Sequence, residues 1–312
     1  MSYLHNLLLY QPITPLHVGC GQDVGVVDLP VIRERTGYPF IPGSGLRGSL
    51  RQAFTERDGA SVMRLFGPTA EESENGPRHA GCVAVHDARL LLFPVRSDRA
   101  PFLWITCPAV LSRFSREVWI FLADAERWAV QSPASPTGEE LLGAFMGDGQ
   151  VCLEEMESTV QAPHGLDAWL AAVAAGLEIP DLAARTVVVS DSAFHYFVTH
   201  ATQVVQHNRL TSAKTVAQGQ LFSVEAVPPE AVFYGFLGVT DPRRPLEDKA
   251  EEAAGEEAKQ LDGPATREEA IDALRGFFTG SAAWLQLGGD EGTGLGVTRL
   301  VWASAGGTDH ES

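Results

Sequence analysis

The apolar residues of this 312-residue chain fall in short blocks whose spacing keeps switching between strand-like and helical, and few blocks read as strands buried on both faces. Such a pattern builds an α+β domain around a small, mostly antiparallel sheet rather than a long doubly wound one. Strands are expected over residues 4–13, 38–41, 82–94, 186–189, 231–239, 282–287 and 297–302. Helices are expected over 44–57, where Leu46, Leu50 and Phe54 recur at helical spacing, within 108–128, over 138–146 and 166–177, after a Ser190-Asp191 cap, and over 266–278. Strand-like runs at 203–210 and 220–227 flank a polar stretch and predict a projecting hairpin.

A net charge of −17 argues against loose, whole-surface attraction to nucleic acid. The charge is uneven, however. Residues 247–272 hold ten acidic and three basic side chains, whereas Arg33, Arg35, Arg47 and Arg51 outnumber Asp28 and Glu34 between positions 28 and 51. No apolar run approaches the roughly 20 residues that span a bilayer, and the N-terminus carries no signal-like core, so a cytoplasmic location with no membrane partner is expected. Cys20, Cys82, Cys107 and Cys152 are far apart and form no C-x-x-C pair, which predicts isolated buried thiols.

The segment from Thr14 to Arg51, TPLHVGCGQDVGVVDLPVIRERTGYPFIPGSGLRGSLR, holds the densest chemistry. Its Ile41-Pro42-Gly43-Ser44 turn opens a helix whose free N–H groups stand beside Ser44 and Arg47, a phosphate-binding arrangement, although an ordinary capped helix reads the same way. Asp28 is a lone carboxylate in an apolar stretch ending at Pro30; it suits a divalent cation or the orientation of a nucleophile, or a loop acceptor of backbone hydrogen bonds. His17 and Asp23 share that loop. A glycine loop with Gly288, Gly289, Gly294 and Gly296 brings backbone close to a phosphate or to another segment, but lacks the Gly-Lys-Ser/Thr ending of a P-loop. Lys214 and Thr215 mark the hairpin tip and Arg209 its base, as nucleic-acid contacts or as a solubilising loop. Arg96 and Arg113 sit among apolar residues and need partners, internal carboxylates being the simplest.

Four segments in order, the 14–51 stretch, DARLLLFPVRS with TCPAVLSRF, NRLTSAKTVAQGQLFSVEAVP and LQLGGDEGTGLG, resemble the RAMP superfamily of CRISPR proteins, and within it the repeated backbone subunits of type III-B Cmr effector complexes. The resemblance implies one RAMP domain over residues 1–312, an RRM-like (ferredoxin-like) palm with inserted segments, a β-hairpin thumb at 203–227 and an acidic loop insertion at 241–264. It implies partners: a guide CRISPR RNA, a target RNA, other copies of the chain in a filament, and other Cmr subunits. It also implies metal-dependent RNA cleavage at regular intervals by 2′-hydroxyl attack, with Asp28 as catalytic aspartate and ligand of Mg²⁺ or Mn²⁺, and His17 as a second catalytic residue of the same loop. Ser44, Arg47 and Arg51 would hold guide phosphates, the thumb from Arg209 through Lys214 and Thr215 would splay the duplex, and Gly288, Gly289, Gly294 and Gly296 would line the RNA. The competing readings are a non-catalytic scaffold of the same architecture, a metal-free repeat-RNA endonuclease using His17 as base, and an unrelated phosphate-binding enzyme.

Overall fold

Leu7, Leu8, Leu9 and Tyr10 are all fully buried on β1 (Leu4–Pro12), so this strand is covered on both faces. The computed structural model describes residues 3–22, 25–69, 71, 79–143, 149–212, 214–243, 263–278 and 284–303. Asp23, Ala213 and residues 244–262 of the acidic stretch lie outside the described residues. β1 runs antiparallel between β12 (Val232–Val239) and β14 (Val297–Ala303). The sheet order is β13 (Trp284–Gln286), β14, β1, β12, β4 (Ala88–Val95), β5 (Leu103–Thr106), β9 (Thr186–Val188), β6 (Glu140–Gly143), β8 (Met156–Ala162), β7 (Gln150–Leu153); β2 (Phe40–Ile41) joins β4, and β3 (Val83–Val85) joins β12. Pairing is antiparallel apart from β5 with β9 and β6 with β8.

The architecture is the expected α+β palm, but its sheet of twelve strands is larger than the composition of the blocks implied. Two features account for the difference. β1, β4 and β12 are buried on both faces because helices cover them: α3 (Pro108–Phe121) and α5 (Asp167–Leu177) pack on β1, and α7 (Arg267–Phe277) packs on β12. The strands beyond β4 are short; β5, β6, β7 and β9 have three or four residues each, too few for a period-2 signal.

Within the helix expected over 138–146, residues 140–143 instead enter the sheet as β6, with Gly138 turning the chain at φ +58° and Leu141 buried against strands on both sides; 144–146 lie outside the described residues. Cross-strand partners outweighed local helical preference there. α2 (Gly59–Phe66) was not foreseen; it buries Val62, Leu65 and Phe66 directly after α1 (Gly43–Arg57) ends at Asp58. The cap read from sequence does form, Ser190 Oγ accepting from Ala193 N on α6 (Asp191–His200), and the structure adds a second, Thr266 Oγ1 accepting from Glu269 N on α7. Cys82 and Cys107 are buried free thiols, whereas Cys20 is exposed and Cys152 half-buried, a correction to the expectation for all four. No helix among the described residues is long and apolar enough to cross a membrane.

Phe114 of α3 joins the layers, with its ring centroid 4.8 Å from Tyr234 on β12 and 5.6 Å from Trp169 on α5. Replacing it by alanine should cost about 3–5 kcal/mol in a denaturant titration. Near the start of β1, His5 lies 5.2 Å from His86 ring to ring, and each packs on Phe121. Burial lowers both imidazole pKa values from 6.5, and for His5 the neighbouring His86 adds to it, while Asp87 and Glu117 partly offset the effect on His86. The fold thus favours the neutral rings. Their contribution is complete above pH 6.5 and is lost as pH falls through the lowered values, so Tm should be level above pH 6.5 and drop below it, less steeply in His86→Phe.

Candidate active site

β10 (Gln203–Leu210) follows α6 and pairs antiparallel with β11 (Val216–Ala226) in a two-stranded ribbon separate from the main sheet. The loop carrying Asp28 docks on the root of this ribbon. Leu29 bridges Val224 in parallel register, with Leu29 N donating to Ser223 O at 3.0 Å and Glu225 N donating to Leu29 O at 3.0 Å. Asp28 itself is exposed. Its Oδ2 accepts from both Ser223 N and Ser223 Oγ at 2.8 Å, and its own N–H donates to Ser223 Oγ at 2.9 Å. The Ser223 peptide N–H and then its hydroxyl hold the Asp28 carboxyl below the usual carboxylate range, so it is charged at neutral pH. Both bonds fall on one oxygen; Oδ1 has no partner among the described residues.

A second carboxylate, not singled out from the sequence, sits two residues along the same strand. Glu225 is buried and accepts from Arg33 at 2.5 Å, from Thr202 Oγ1 at 2.7 Å and from Val31 N at 2.9 Å. Arg33 also donates to the Gly37 and Val198 carbonyls, so this cation is committed inside the protein. The signal that could have exposed Glu225 is the one used for Asp28: an acidic residue inside an apolar run, here Val224-Glu225-Ala226.

His17 is buried, and its Nδ1–H donates to the Glu225 carbonyl at 2.6 Å. The Nε2 side is covered by Gly19, where a Cβ would stand 2.6 Å from that nitrogen. The His17 carbonyl accepts from Gly289 N at 2.9 Å, and Gly296 N donates to Pro15 O at 2.9 Å. These two glycines of the loop therefore spend their N–H groups on the segment before Asp28. Gly288 has φ +74°, and a Cβ there would lie 2.2 Å from the His17 carbonyl oxygen; Gly294 has φ +85° and open space around it.

Ser44 lies exposed in the first turn of α1, where Gly43 N donates to Asp87 Oδ1 at 2.7 Å. Arg47 and Arg51 reach instead to the far end of α2, donating to the Phe66 and Gly67 carbonyls, where a helix C-terminus favours cations. Burial, and the Arg51 charge one turn away, lower the Arg47 pKa. At the hairpin tip Lys214 has φ +58°, and Thr211 Oγ1 and Thr215 Oγ1 are hydrogen-bonded at 2.8 Å; the side chain of Arg209 lies outside those described. The structure thus brings His17, Asp28, Gly288 and Gly289 to the hairpin root and leaves Lys214 and Thr215 at its tip. Arg113 and Arg96 have the carboxylate partners expected: Arg113 bonds Glu34 at 2.7 Å, and Arg96 contacts Glu154 at 2.9 Å. Gly288→Ala should unseat the glycine loop, raising amide exchange at Gly289 and costing at least about 1 kcal/mol, whereas Gly292→Ala, with nothing within 4 Å of its Cβ, should change neither.

A profile of the RAMP superfamily matches residues 10–299. The chain is 30% identical over 299 residues to the CRISPR system Cmr endoribonuclease Cmr4 of Pyrococcus furiosus, covering 93% of this chain and 92% of that protein. Among solved structures it is similar to the crystal structure of oligomeric Cmr4 from Pyrococcus furiosus, with TM-score 0.69, 23% identity and coverage of 98% and 100% of the two chains. It is also similar to a chain in the cryo-EM structure of the type III-B Cmr-beta complex bound to cognate target RNA, with TM-score 0.64, 20% identity and coverage of 96% and 97%. At these identities the structural likeness bears on fold. The sequence match extends along nearly the whole chain, and together with the palm, the ribbon and the loop seated at its root it places this chain in the RAMP superfamily, within the Cmr4 family.

Proposed function

We propose that this chain is a repeated backbone subunit of a cytoplasmic type III-B CRISPR effector, which binds guide RNA beside further copies of itself and other Cmr subunits and cuts complementary target RNA at regularly spaced sites. One observation carries the reading: in a chain 30% identical to a Cmr endoribonuclease, Asp28 is exposed, charged and held by three hydrogen bonds at the root of a projecting hairpin. Ser44, Arg47 and Arg51 face guide phosphates in this reading. A phosphate beside Arg47 and Arg51 would relieve the repulsion between two like charges one helical turn apart. The hairpin, with Arg209, Lys214 and Thr215, parts the duplex, and the glycine loop, through Gly294 and its neighbours, borders the strand.

Asp28 fits a divalent cation such as Mg²⁺ or Mn²⁺. Among the described residues no group of three or more His, Cys, Asp or Glu side chains could hold a metal, so Asp28 would share the ion with water and phosphate oxygens, the mixed set that Mg²⁺ commonly takes. Such an ion supplies neutralisation of phosphate charge. Asp28 accepts a hydrogen bond from the ribose 2′-hydroxyl and orients it in line with the adjacent phosphate. The 2′-oxygen gives up its proton to solvent and bonds to phosphorus as the bond to the 5′-oxygen breaks, and the leaving 5′-oxygen takes a proton from water, leaving a 2′,3′-cyclic phosphate and a 5′-hydroxyl. Orientation of a nucleophile already tethered to its target supplies much of the rate, so one carboxylate suffices. His17 serves by holding the loop on β11, because its ring is enclosed and Nδ1 is occupied.

The test is cleavage of guide-complementary RNA by the assembled complex, with and without Mg²⁺. Asp28→Asn should reduce cutting by roughly 10²-fold or more while assembly and target binding persist. Cutting at the normal rate by that variant would mark the chain as a scaffold, and cutting of isolated repeat RNA in chelator would mark a metal-free processing enzyme.

A further inference from the structure

Ser223 is nearly the whole of what holds Asp28. It is buried, and its hydroxyl bonds the loop twice: Oγ donates to Asp28 Oδ2 at 2.8 Å and accepts from Asp28 N at 2.9 Å, while the Ser223 peptide N–H donates to the same carboxylate oxygen at 2.8 Å. Side chains alternate along a strand, so Ser223 points to the same side of β11 as Leu221 and Glu225, and its cross-strand neighbour is Gln206 of β10. The same strand that leads up the hairpin therefore carries both the clamp on Asp28 and the Glu225 anchor that receives Arg33 and Val31.

We infer that Ser223 is the positioning residue of the reaction, locking the Asp28 rotamer with Oδ1 outward, and that through it the hairpin and the acid move as one body. Seating of the hairpin on an RNA duplex then sets the place of the carboxylate. The inference rests on the assignment of Asp28 to the reacting bond. Its physical content is that a carboxylate on an exposed bend is free to rotate unless a neighbour fixes it, and misplacement of about 1 Å can cost 10²-fold in rate. The backbone bonds Leu29 N to Ser223 O and Glu225 N to Leu29 O do not involve the hydroxyl, so the loop remains docked when the hydroxyl alone is removed.

The experiment compares complexes carrying wild-type chain, Ser223→Ala, Ser223→Thr and Asp28→Asn. Single-turnover cleavage is measured at saturating target, together with target affinity and hydrogen exchange of the peptide spanning residues 25–31. Ser223→Ala should slow cleavage roughly 10–100-fold, the range for losing a partner that orients a ligating group, with target affinity unchanged. Exchange at the Asp28 amide should rise, that at Leu29 should stay slow, and Ser223→Thr should recover both protection and most of the rate. If Asp28→Asn abolishes cutting while Ser223→Ala cuts at the wild-type rate, the positioning role is overturned and the role of Asp28 stands. A Ser223→Ala complex that loses assembly or target affinity, or a threonine variant as slow as alanine, overturns it too, since either marks a purely structural serine. Normal cutting by Asp28→Asn removes the assignment on which the inference rests.

Discussion

The site hangs from one buried carboxylate. Glu225 would be costly inside the protein if its oxygens were unmet, since an unpaired charge removed from water costs several kcal/mol. The donors that meet it, Arg33, Val31 N and Thr202 Oγ1, come from the 14–51 segment and from the join between α6 and β10. Satisfying Glu225 obliges that segment to lie along β11. The Glu225 carbonyl then takes His17, whose own carbonyl takes the glycine loop, so three stretches remote in sequence converge on the hairpin root.

Two carboxylates held at neighbouring points of β11, Asp28 through Ser223 and Glu225 on the strand itself, have opposite environments and opposite uses. Glu225 is enclosed and consumed by structure. Asp28 is exposed, bonded through a single oxygen, and kept charged by dipoles rather than by a cation, which leaves the other oxygen available for chemistry.

The arginines are distributed by a similar logic. Arg33 joins Glu225, while Arg89 and Arg113 form a network with Glu34 and Glu117 that Tyr234 closes by donating to Glu117 at 2.9 Å. Arg47 and Arg51 sit against the carbonyls at the end of α2. The positive stretch between residues 28 and 51 is thus partly internal bracing, and the surface it offers to an anion is narrower than the charge count implied.

The sequence by itself determined the α+β class, the capped helix at Ser190, the helix opening at Thr266 and the hairpin strands, because each rests on local periodicity or a cap. It could not reveal that residues 140–143 enter the sheet, since a four-residue strand is stabilised by neighbours distant in sequence. Nor could it show why His17, Gly288 and Gly296 are what they are. Gly288 answers to a backbone approach across some 270 residues, from His17 to the glycine loop, His17 to a hydrogen bond reaching Glu225, and Gly296, at φ +87°, to the Leu287 carbonyl across its own loop. Tertiary structure decided which of two carboxylates faces solvent and which serine holds it. Burial and hydrogen-bond partnership are properties of the folded surface, not of spacing along the chain.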